Sequence, residues 1–578
     1  MRRTAITILV FVSAVVPLLS QNTPTANVGG PAAILTADDV RAILNVAATA
    51  LDSSTMAVAV VDRNGAILGV YVRPDAAEQT PDIAVSLART GAFFSNDQAP
   101  LSSRTVRFIS GIHFPPGVRN TPVAPLYGIE NTNRGCAVAP AGQNIFNQPV
   151  VLPRSIAGTF GTIPGLPALP CHPGNTSGCA RGGPMTDLNG HDLPSVGITT
   201  GKSDVLDSGQ SDPSTVPVDP GGIPIYRGGK LIGGVGVAGV APDLAEYAAT
   251  LAAAGSGRGI DFAEPLGAPG AVFINGIRLP FFSTCPDIPC IRSTLKTLPP
   301  GAAPGRFSDG HLIVLPRGGQ QAPENYLIGP RGSTTGALTI DDVRRLVDQA
   351  VAVALRTRAQ IRLPISQPTR MVISISDESG NILAAYRMPD ATIFSIDTAI
   401  TKARNAYYFS TRDGYEVLKS YVESNPYDDY TWEPDPPAGQ GWAITARTIS
   451  FGGQPLFPPG IDLRARPTPG PWFDLFVYDS MHPCTEGPTL GADPGYFNQS
   501  GIVWFPGSTP LYKNGQLVGG MGVSGDGVDQ DDYVAQIGSD GFHPPDALRV
   551  DNSVIRNSKG QVVRLPYAKF PRHPEFGQ

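Results

Sequence analysis

The hydrophobic positions near the start of the chain follow first a helical and then a strand-like period. Apolar residues recur at helical spacing through residues 40–47, after Thr36, which can cap a helix. Residues 56–61 and 66–72 are apolar runs of strand length, and the Asp-x-x-Gly between them favours a tight turn. Residues 82–94 return to helical spacing. The pattern predicts a helix, a β-hairpin and a second helix.

A further group of predicted elements follows a long stretch that is rich in Gly and Pro. Residues 223–237 have the pattern of two strands that turn at Gly228-Gly229, and residues 242–254 have the pattern of a helix. Hairpins in place of crossover connections imply an antiparallel sheet. The apolar faces of the helices must then pack on that sheet.

The whole pattern is present twice, and this internal repeat is the most informative feature of the sequence. Leu-Thr-Ala-Asp-Asp-Val-Arg at residues 35–41 returns as Leu-Thr-Ile-Asp-Asp-Val-Arg at residues 338–344. The offset between the copies changes only at Gly- and Pro-rich stretches, as expected for two copies with loops of unequal length. Repeated pairs include Asp62/Asp377, Tyr71/Tyr386, Arg89/Arg404, Arg104/Arg447 and Tyr247/Tyr533.

The predicted fold class is α+β, with two repeated domains that are each an antiparallel β-sheet flanked by helices, and with long Gly/Pro-rich loop insertions. We expect the two domains to pack as an internal pseudo-dimer about a shared pseudo-twofold axis. The predicted boundaries are 1–20 for a signal peptide, 31–255 for the first domain with an insertion at about 118–221, 256–335 for a tail and linker, 336–540 for the second domain and 541–578 for a C-terminal tail.

The composition agrees with compact domains joined by long loops. Of 578 residues, 66 are Gly and 58 are Pro, whereas a hydrophobic share of 41% is enough for buried cores. The net charge of −6 and the lack of a basic run in the sequence argue against a nucleic-acid-binding protein. No sequence segment after the predicted signal is long and apolar enough to span a membrane.

The start of the chain is typical of a secretory signal. Two arginines precede an apolar run at residues 5–19 and then a Ser-Gln-Asn stretch, although an uncleaved anchor is the alternative. A secreted or periplasmic location is therefore expected, and an even number of cysteines in an oxidising compartment predicts disulfides. Two pairs are close enough in sequence to close small loops, namely Cys171/Cys179 and Cys285/Cys290. Cys136 and Cys484 are then left over, either paired or free.

Several motifs in combination resemble the GlcG/HbpS haem-binding-like family, which is related to the C-terminal domain of PduO-type proteins. The motifs are the Leu-Thr-x-Asp-Asp start, the Asp-x-x-Gly turn, the Pro-Asp-Ala stretch, residues 397–404 (Asp-Thr-Ala-Ile-Thr-Lys-Ala-Arg) and the closing Gly-Gly-x-Gly-Val-x-Gly. Both copies match. The resemblance implies a compact α+β domain that self-associates, so a homo-oligomer is a further expectation.

One turn departs from the usual pattern of that family. Many members have Arg-Met-Asp-Gly-Ala, whereas this chain has Arg-Pro-Asp-Ala at residues 73–76 and Arg-Met-Pro-Asp-Ala at residues 387–391. In both copies a glycine is lost and a proline is gained.

The cofactor that the resemblance implies is haem, a planar ligand. Imidazole and tyrosinate are axial ligands of haem iron, and arginine binds carboxylates in a bidentate manner. The alternative for His113 is a solvated or capping loop residue, and for Arg89 and Arg404 it is a contact that fixes a helix to the hairpin. The candidate cofactor-binding residues are His113, Tyr71, Arg73, Arg89, Tyr386, Arg387 and Arg404.

Two Gly-x-Gly-x-x-Gly runs, at residues 234–239 and 520–525, resemble a dinucleotide-binding fingerprint. That fingerprint requires a parallel βαβ unit, whereas both runs fall on the return strand of a predicted hairpin. Glycine within a strand more often permits the close approach of a helix or of another backbone. We expect these glycines to serve packing, or to lie against a ligand.

The sequence contains no GxSxG, HExxH or P-loop motif. The favoured interpretation is an exported protein that binds haem or another tetrapyrrole without catalysing a reaction. Two alternatives remain open at this stage. One is a structural or interaction module without a small ligand, and the other is an enzyme that acts on a small organic acid through the repeated Arg and Asp residues.

Overall fold

The computed structural model describes most of both repeats. Its residues are 34–77, 80–116, 118, 121–129, 132, 220–263, 271–283, 285–458, 468–481 and 501–576. The predicted signal peptide and most of the insertion predicted at about 118–221 lie outside these residues, as do Cys136, Cys171, Cys179 and Cys484. Cys285 and Cys290 form a disulfide, which confirms one of the two predicted pairs.

The first lobe begins with a capped helix and a hairpin, as the sequence pattern predicts. Thr36 accepts a hydrogen bond from the backbone N–H of Asp39, and the Asp39 carboxylate accepts one from the backbone N–H of Thr36. In chain order the elements are α1 (Ala37–Ala50), β1 (Ala57–Asp62), β2 (Ile67–Val72), α2 (Thr80–Phe94), α3 (Ser103–Phe108), β3 (Gly222–Arg227), β4 (Lys230–Ala238), α4 (Pro242–Gly255) and β5 (Ile260–Asp261).

The segment predicted as tail and linker has regular structure of its own. It contains β6 (Phe273–Ile274), β7 (Ile277–Arg278), α5 (Ile288–Thr294), β8 (His311–Val314) and β9 (Asn325–Ile328). β8 pairs with β2 of the first lobe, and β9 pairs with the second lobe. One linker therefore supplies an edge strand to each of the two large sheets.

The second lobe repeats the first and adds elements to it. Its elements are α6 (Ile340–Arg356), β10 (Val372–Ser376), β11 (Ile382–Arg387), α7 (Phe394–Ser410), α8 (Arg412–Glu423), β12 (Thr431–Glu433), α9 (Ala446–Gly452), α10 (Phe473–Met481), β13 (Ser508–Lys513), β14 (Gln516–Ser524), α11 (Val528–Gly538), β15 (Val554–Arg556) and β16 (Val562–Arg564). Among the helices of the described residues, none has the length and hydrophobicity needed to cross a bilayer.

The two large sheets share one topology. The first has the strand order β5-β3-β4-β1-β2-β8, and the second has the order β13-β14-β10-β11-β9. All of these pairs are antiparallel, and the register also repeats: Val58 pairs with Tyr71 as Ile373 pairs with Tyr386. The predicted α+β class with antiparallel sheets is confirmed.

Helices cover both faces of each sheet. In β1 the residues alternate, so that Ala57 and Ala59 pack towards α2 while Val58 and Val60 pack towards α1 and α4. In the second lobe α7 lies on one face, and α6 with α11 lies on the other. Burial on both faces explains why these strands are continuous apolar runs.

The lobes meet through surfaces that are not equivalent. The end of α2 contacts the start of α7, where Phe94 stacks on Phe394 with ring centroids 4.4 Å apart. The carboxylate of Asp390 accepts hydrogen bonds from the backbone N–H of Asp97, at 3.1 Å, and from Arg362. Asp75, the repeat counterpart of Asp390, is exposed. The contact is head-to-tail, so the expected shared pseudo-twofold axis is wrong.

An aromatic insert, residues 411–445, explains part of this asymmetry. It separates α7 from α9 and is absent between α2 and α3 of the first lobe. Tyr415 and Trp432 of the insert belong to the same buried cluster as Phe409 at the end of α7. The insert thus covers the end of α7, whereas the matching end of α2 receives the second lobe.

Candidate functional site

The two repeated arginines connect a helix to the hairpin turn in each lobe. Arg89 Nε donates to the carbonyl oxygen of Gly65 at 2.9 Å, and Arg404 Nε donates to that of Gly380 at 2.9 Å. Both side chains are buried, and burial lowers the pKa of Arg404 to about 10. This geometry matches the structural interpretation of these arginines.

Tyr71 and Arg73 are covered by the linker. The Tyr71 ring is fully buried and stacks on Phe307, with centroids 4.9 Å apart, and its hydroxyl donates to the Phe307 carbonyl at 3.2 Å. Burial raises the pKa of Tyr71, which disfavours its tyrosinate form. Arg73 is also buried and pairs with Asp309 at 3.2 Å.

Tyr386 and Arg387 lie at the equivalent edge of the second sheet. The Tyr386 hydroxyl contacts Asn325 Oδ1 at 3.2 Å. Arg387 is buried, donates to the carbonyl of Pro323 at 2.9 Å, and lies 3.8 Å from the Glu324 carboxylate. Burial lowers its pKa to about 10.

His113 lies apart from both edges. It follows α3, is buried, and its Nδ1 lies 3.3 Å from the carbonyl oxygen of Thr121. The structure thus divides the seven candidate residues among several intramolecular contacts and does not gather them around one pocket. Their role towards a ligand stays a prediction.

A separate cleft lies where the tail of the first lobe meets the second lobe. This junction cleft has a volume of about 260 Å³. It is bounded by the β6–β7 hairpin, by the segment after α6 and by the end of the chain. The lining residues are Ala271, Phe273, Arg358, Ala359, Gln360, Arg362, Leu363, Ile365, Gln530, Pro571, Arg572, His573 and Pro574.

The lining of the junction cleft carries positive charge and no carboxylate. Arg362 is neutralised, because it pairs with Asp526 and lies 2.6 Å from Asp390. Among the described residues, Arg358 and Arg572 form no ion pair of this kind. Two cationic groups are therefore available to an anion.

Two polar atoms of this lining are buried without a hydrogen-bond partner among the described residues. They are Arg358 Nε and the side-chain carbonyl oxygen of Gln530. A buried polar atom without a partner costs about 1–3 kcal/mol. A ligand, or water, that reached these atoms would recover that energy.

A second cavity, of about 30 Å³, lies beside the Cys285–Cys290 disulfide. Its volume holds little more than a water molecule or two. Within the described part of the chain, no cluster of three or more His, Cys, Asp or Glu side chains is arranged to hold a metal ion.

The junction cleft was not found from the sequence. Its residues come from four separate segments near positions 271, 360, 530 and 572, and only folding brings them together. The Pro-Arg-His-Pro run at residues 571–574 is the one local signal that could have drawn attention, since prolines flank two cationic side chains.

The second lobe matches a known family. The model described as "Haem degrading protein HbpS-like" matches residues 338–460 and 472–540. The second lobe is therefore similar to this family over these residues. This match confirms the resemblance that the sequence motifs indicated. The matched residues include α6, α7, α11 and the whole five-stranded sheet apart from β9.

Two solved structures are similar to parts of the chain. The PduOC:heme complex is 22% identical and is covered over 94% of its length by 36% of this chain, with a TM-score of 0.19. Protein ORFY of Klebsiella pneumoniae, from the DUF336 family, is 19% identical and is covered over 94% of its length by 39% of this chain, also with a TM-score of 0.19. No curated protein matches the chain.

Proposed function

We propose that the protein is exported and binds haem or a closely related tetrapyrrole, without catalysing a reaction on it. The observation that carries this proposal is the match of the second lobe to the HbpS-like family, whose description names haem. The repeated strand order supports extending the proposal to the first lobe.

The residues of the chain fit such a ligand at the junction cleft better than at the edges of the sheets. At the edges, linker residues cover Tyr71 and engage Arg387. The cleft instead offers an imidazole at His573, two guanidinium groups and an apolar wall. When bound, a haem would supply an iron that accepts a nitrogen ligand and two carboxylates that accept hydrogen bonds.

Titration with haemin tests the proposal. At micromolar protein we expect a saturable change in the Soret band at a defined stoichiometry. A linear, unsaturable response equal to that of an unrelated acidic protein would contradict it.

The same samples distinguish binding from turnover, which the family description also raises. If the protein binds haem without degrading it, the bound spectrum should persist after a reductant and oxygen are supplied. Progressive loss of the Soret band in the complex, but not with free haemin, would instead establish haem degradation.

A further inference from the structure

We infer that the junction cleft holds the carboxylates of the tetrapyrrole on Arg358 and Arg572, and that His573 supplies the nitrogen ligand to its iron. This inference rests on the proposed function and assigns a site to it. The assigned site lies outside the seven residues that the sequence motifs suggested.

The charge of the cleft selects an anion. The chain as a whole carries a net charge of −6, yet the cleft lining contains three arginines, one histidine and no acid. Asp526 and Asp390 already neutralise Arg362. The local excess of positive charge therefore comes from Arg358 and Arg572, and a guanidinium binds a carboxylate more strongly than a neutral donor does.

The buried Nε of Arg358 gives a second, independent reason. It has no hydrogen-bond partner among the described residues, although the same guanidinium lies over the Phe576 ring at 5.8 Å. A carboxylate oxygen placed at the cleft would satisfy this donor. Among the described residues nothing accepts a hydrogen bond from this Nε, so an acceptor on a bound ligand would complete its polar contacts.

The apolar part of the cleft suits a flat hydrophobic ring. Ile365 is 69% exposed and Phe273 is 37% exposed, and Leu363 lines the same space. Large apolar side chains exposed beside cationic ones are typical of a ligand groove. A volume of about 260 Å³ is below the usual range of about 300–1,000 Å³ for enclosed ligand pockets, so the cleft would hold only part of the ring and the rest would remain in solvent.

His573 supplies the imidazole group of the cleft lining. It is exposed, and none of the described hydrogen bonds involves its ring. Its φ of +47° lies in the left-handed region, which non-glycine residues adopt uncommonly. An imidazole in this position can coordinate iron without breaking a hydrogen bond to the described residues.

Two porphyrins separate the role of the imidazole from that of the guanidinium groups. Haemin contains iron and carboxylates, whereas protoporphyrin IX contains the carboxylates alone. Binding is measured by the Soret band of haemin and by the fluorescence of protoporphyrin IX, with the full chain in each case.

For the variant His573→Ala we expect the Kd for haemin to rise at least about tenfold and the Soret maximum to shift. The Kd for protoporphyrin IX should change less than about twofold. For the double variant Arg358→Ala/Arg572→Ala we expect both Kd values to rise at least about tenfold.

Matched controls exist on the same chain. His311→Ala removes an exposed histidine on β8, and Arg344→Ala removes an exposed arginine on α6, and neither residue lines the cleft. Both controls should bind the two porphyrins as the wild type does. Circular dichroism and the thermal midpoint of each variant show whether the fold is retained.

The outcomes separate the two proposals. If the wild type binds haemin and the cleft variants bind it equally well, the cleft assignment is wrong while the proposed function stands. If His573→Ala alone is unchanged, the nitrogen ligand is misassigned. If the wild type binds neither porphyrin, both proposals fail.

Discussion

At the scale of single residues, the second lobe contains a buried ion pair that the first lobe lacks. Lys402 is fully buried, and its Nζ donates to Asp531 at 3.1 Å and to the carbonyl of Val523 at 2.9 Å. At the repeat-equivalent positions the first lobe has Leu87 and Ala245. At this pair of equivalent positions, one lobe therefore has an ion pair and the other has two apolar side chains.

Removal of one partner of this ion pair should destabilise the folded state. In Lys402→Ala the Asp531 carboxylate stays buried without its cation, so we expect the free energy of unfolding to fall by about 3–5 kcal/mol. Urea denaturation of the full chain measures this change.

The double variant Lys402→Leu/Asp531→Ala, which copies the first lobe, is the matched control. It should be within about 1 kcal/mol of the wild type, or more stable, because two desolvated charges are replaced by apolar groups. A loss as large as that of Lys402→Ala would contradict this account of the pair.

The pH dependence of the same pair has a defined sign. Burial raises the pKa of Asp531 from 3.8 to about 7, so the folded state retains a proton that the unfolded state releases. The stability due to this proton is present below about pH 4 and is lost as the pH rises to about 7. Relative to the double variant, the wild type should therefore lose stability over this interval.

At the scale of elements, the glycine-rich strands are packing surfaces for helices. A Cβ atom added at Gly236 of β4 would overlap the carbonyl oxygen of Ala84 in α2, and one added at Gly522 of β14 would overlap that of Ala399 in α7. The interpretation that these glycines permit close approach of a helix is confirmed. The runs lie in antiparallel hairpins, which is not the setting of a dinucleotide site.

Each of the variants Gly236→Ala and Gly522→Ala should lower the free energy of unfolding by about 2–3 kcal/mol, because the helix backbone must move away from the sheet. Gly329→Ala is the control, since a Cβ atom there would meet nothing within 4 Å. Thermal unfolding measures all three, and equal midpoints would contradict the packing role.

Many of the helices, turns and hairpins were predictable from the sequence, because local residue patterns determine them. The capping threonines, the Asp-x-x-Gly turns and the turn at Gly228-Gly229 all lie where their residue types indicated. The edge strands β8 and β9 were not predicted, because their residues are only partly buried and lack a clear apolar period. The junction cleft was missed for a different reason, since it depends on contacts between distant segments.

At the scale of the whole molecule, Asp390 connects the lobes. It takes a φ of +61°, in the left-handed region that favours glycine, and it contacts Arg362, Arg63 and the backbone of Asp97. Arg63 and Arg362 are buried, so these contacts are weakly screened by solvent. The Pro-Asp-Ala turn of the second copy therefore takes part in the contact between the lobes.

Asp390→Ala should lower the free energy of unfolding by at least about 2 kcal/mol, because it leaves buried guanidinium groups with fewer partners. It should also separate the unfolding of the two lobes into two transitions in calorimetry. Asp75→Ala, at the exposed counterpart in the first lobe, is the control and should change stability by less than about 0.5 kcal/mol. A single unshifted transition for Asp390→Ala would show that other contacts couple the lobes.

The edge strands supplied by the linker have a consequence for how the chain can be divided. Val314 pairs with Val70 of one sheet, and Ile328 pairs with Ala385 of the other. A fragment that starts at residue 336, where the repeat begins in the sequence, would lose β9 and leave the outer edge of β11 unpaired and open to self-pairing with other copies. Cleavage after β9 would therefore separate this strand from the sheet that it completes, whereas cleavage between β8 and β9 would leave each edge strand in the half to which it pairs.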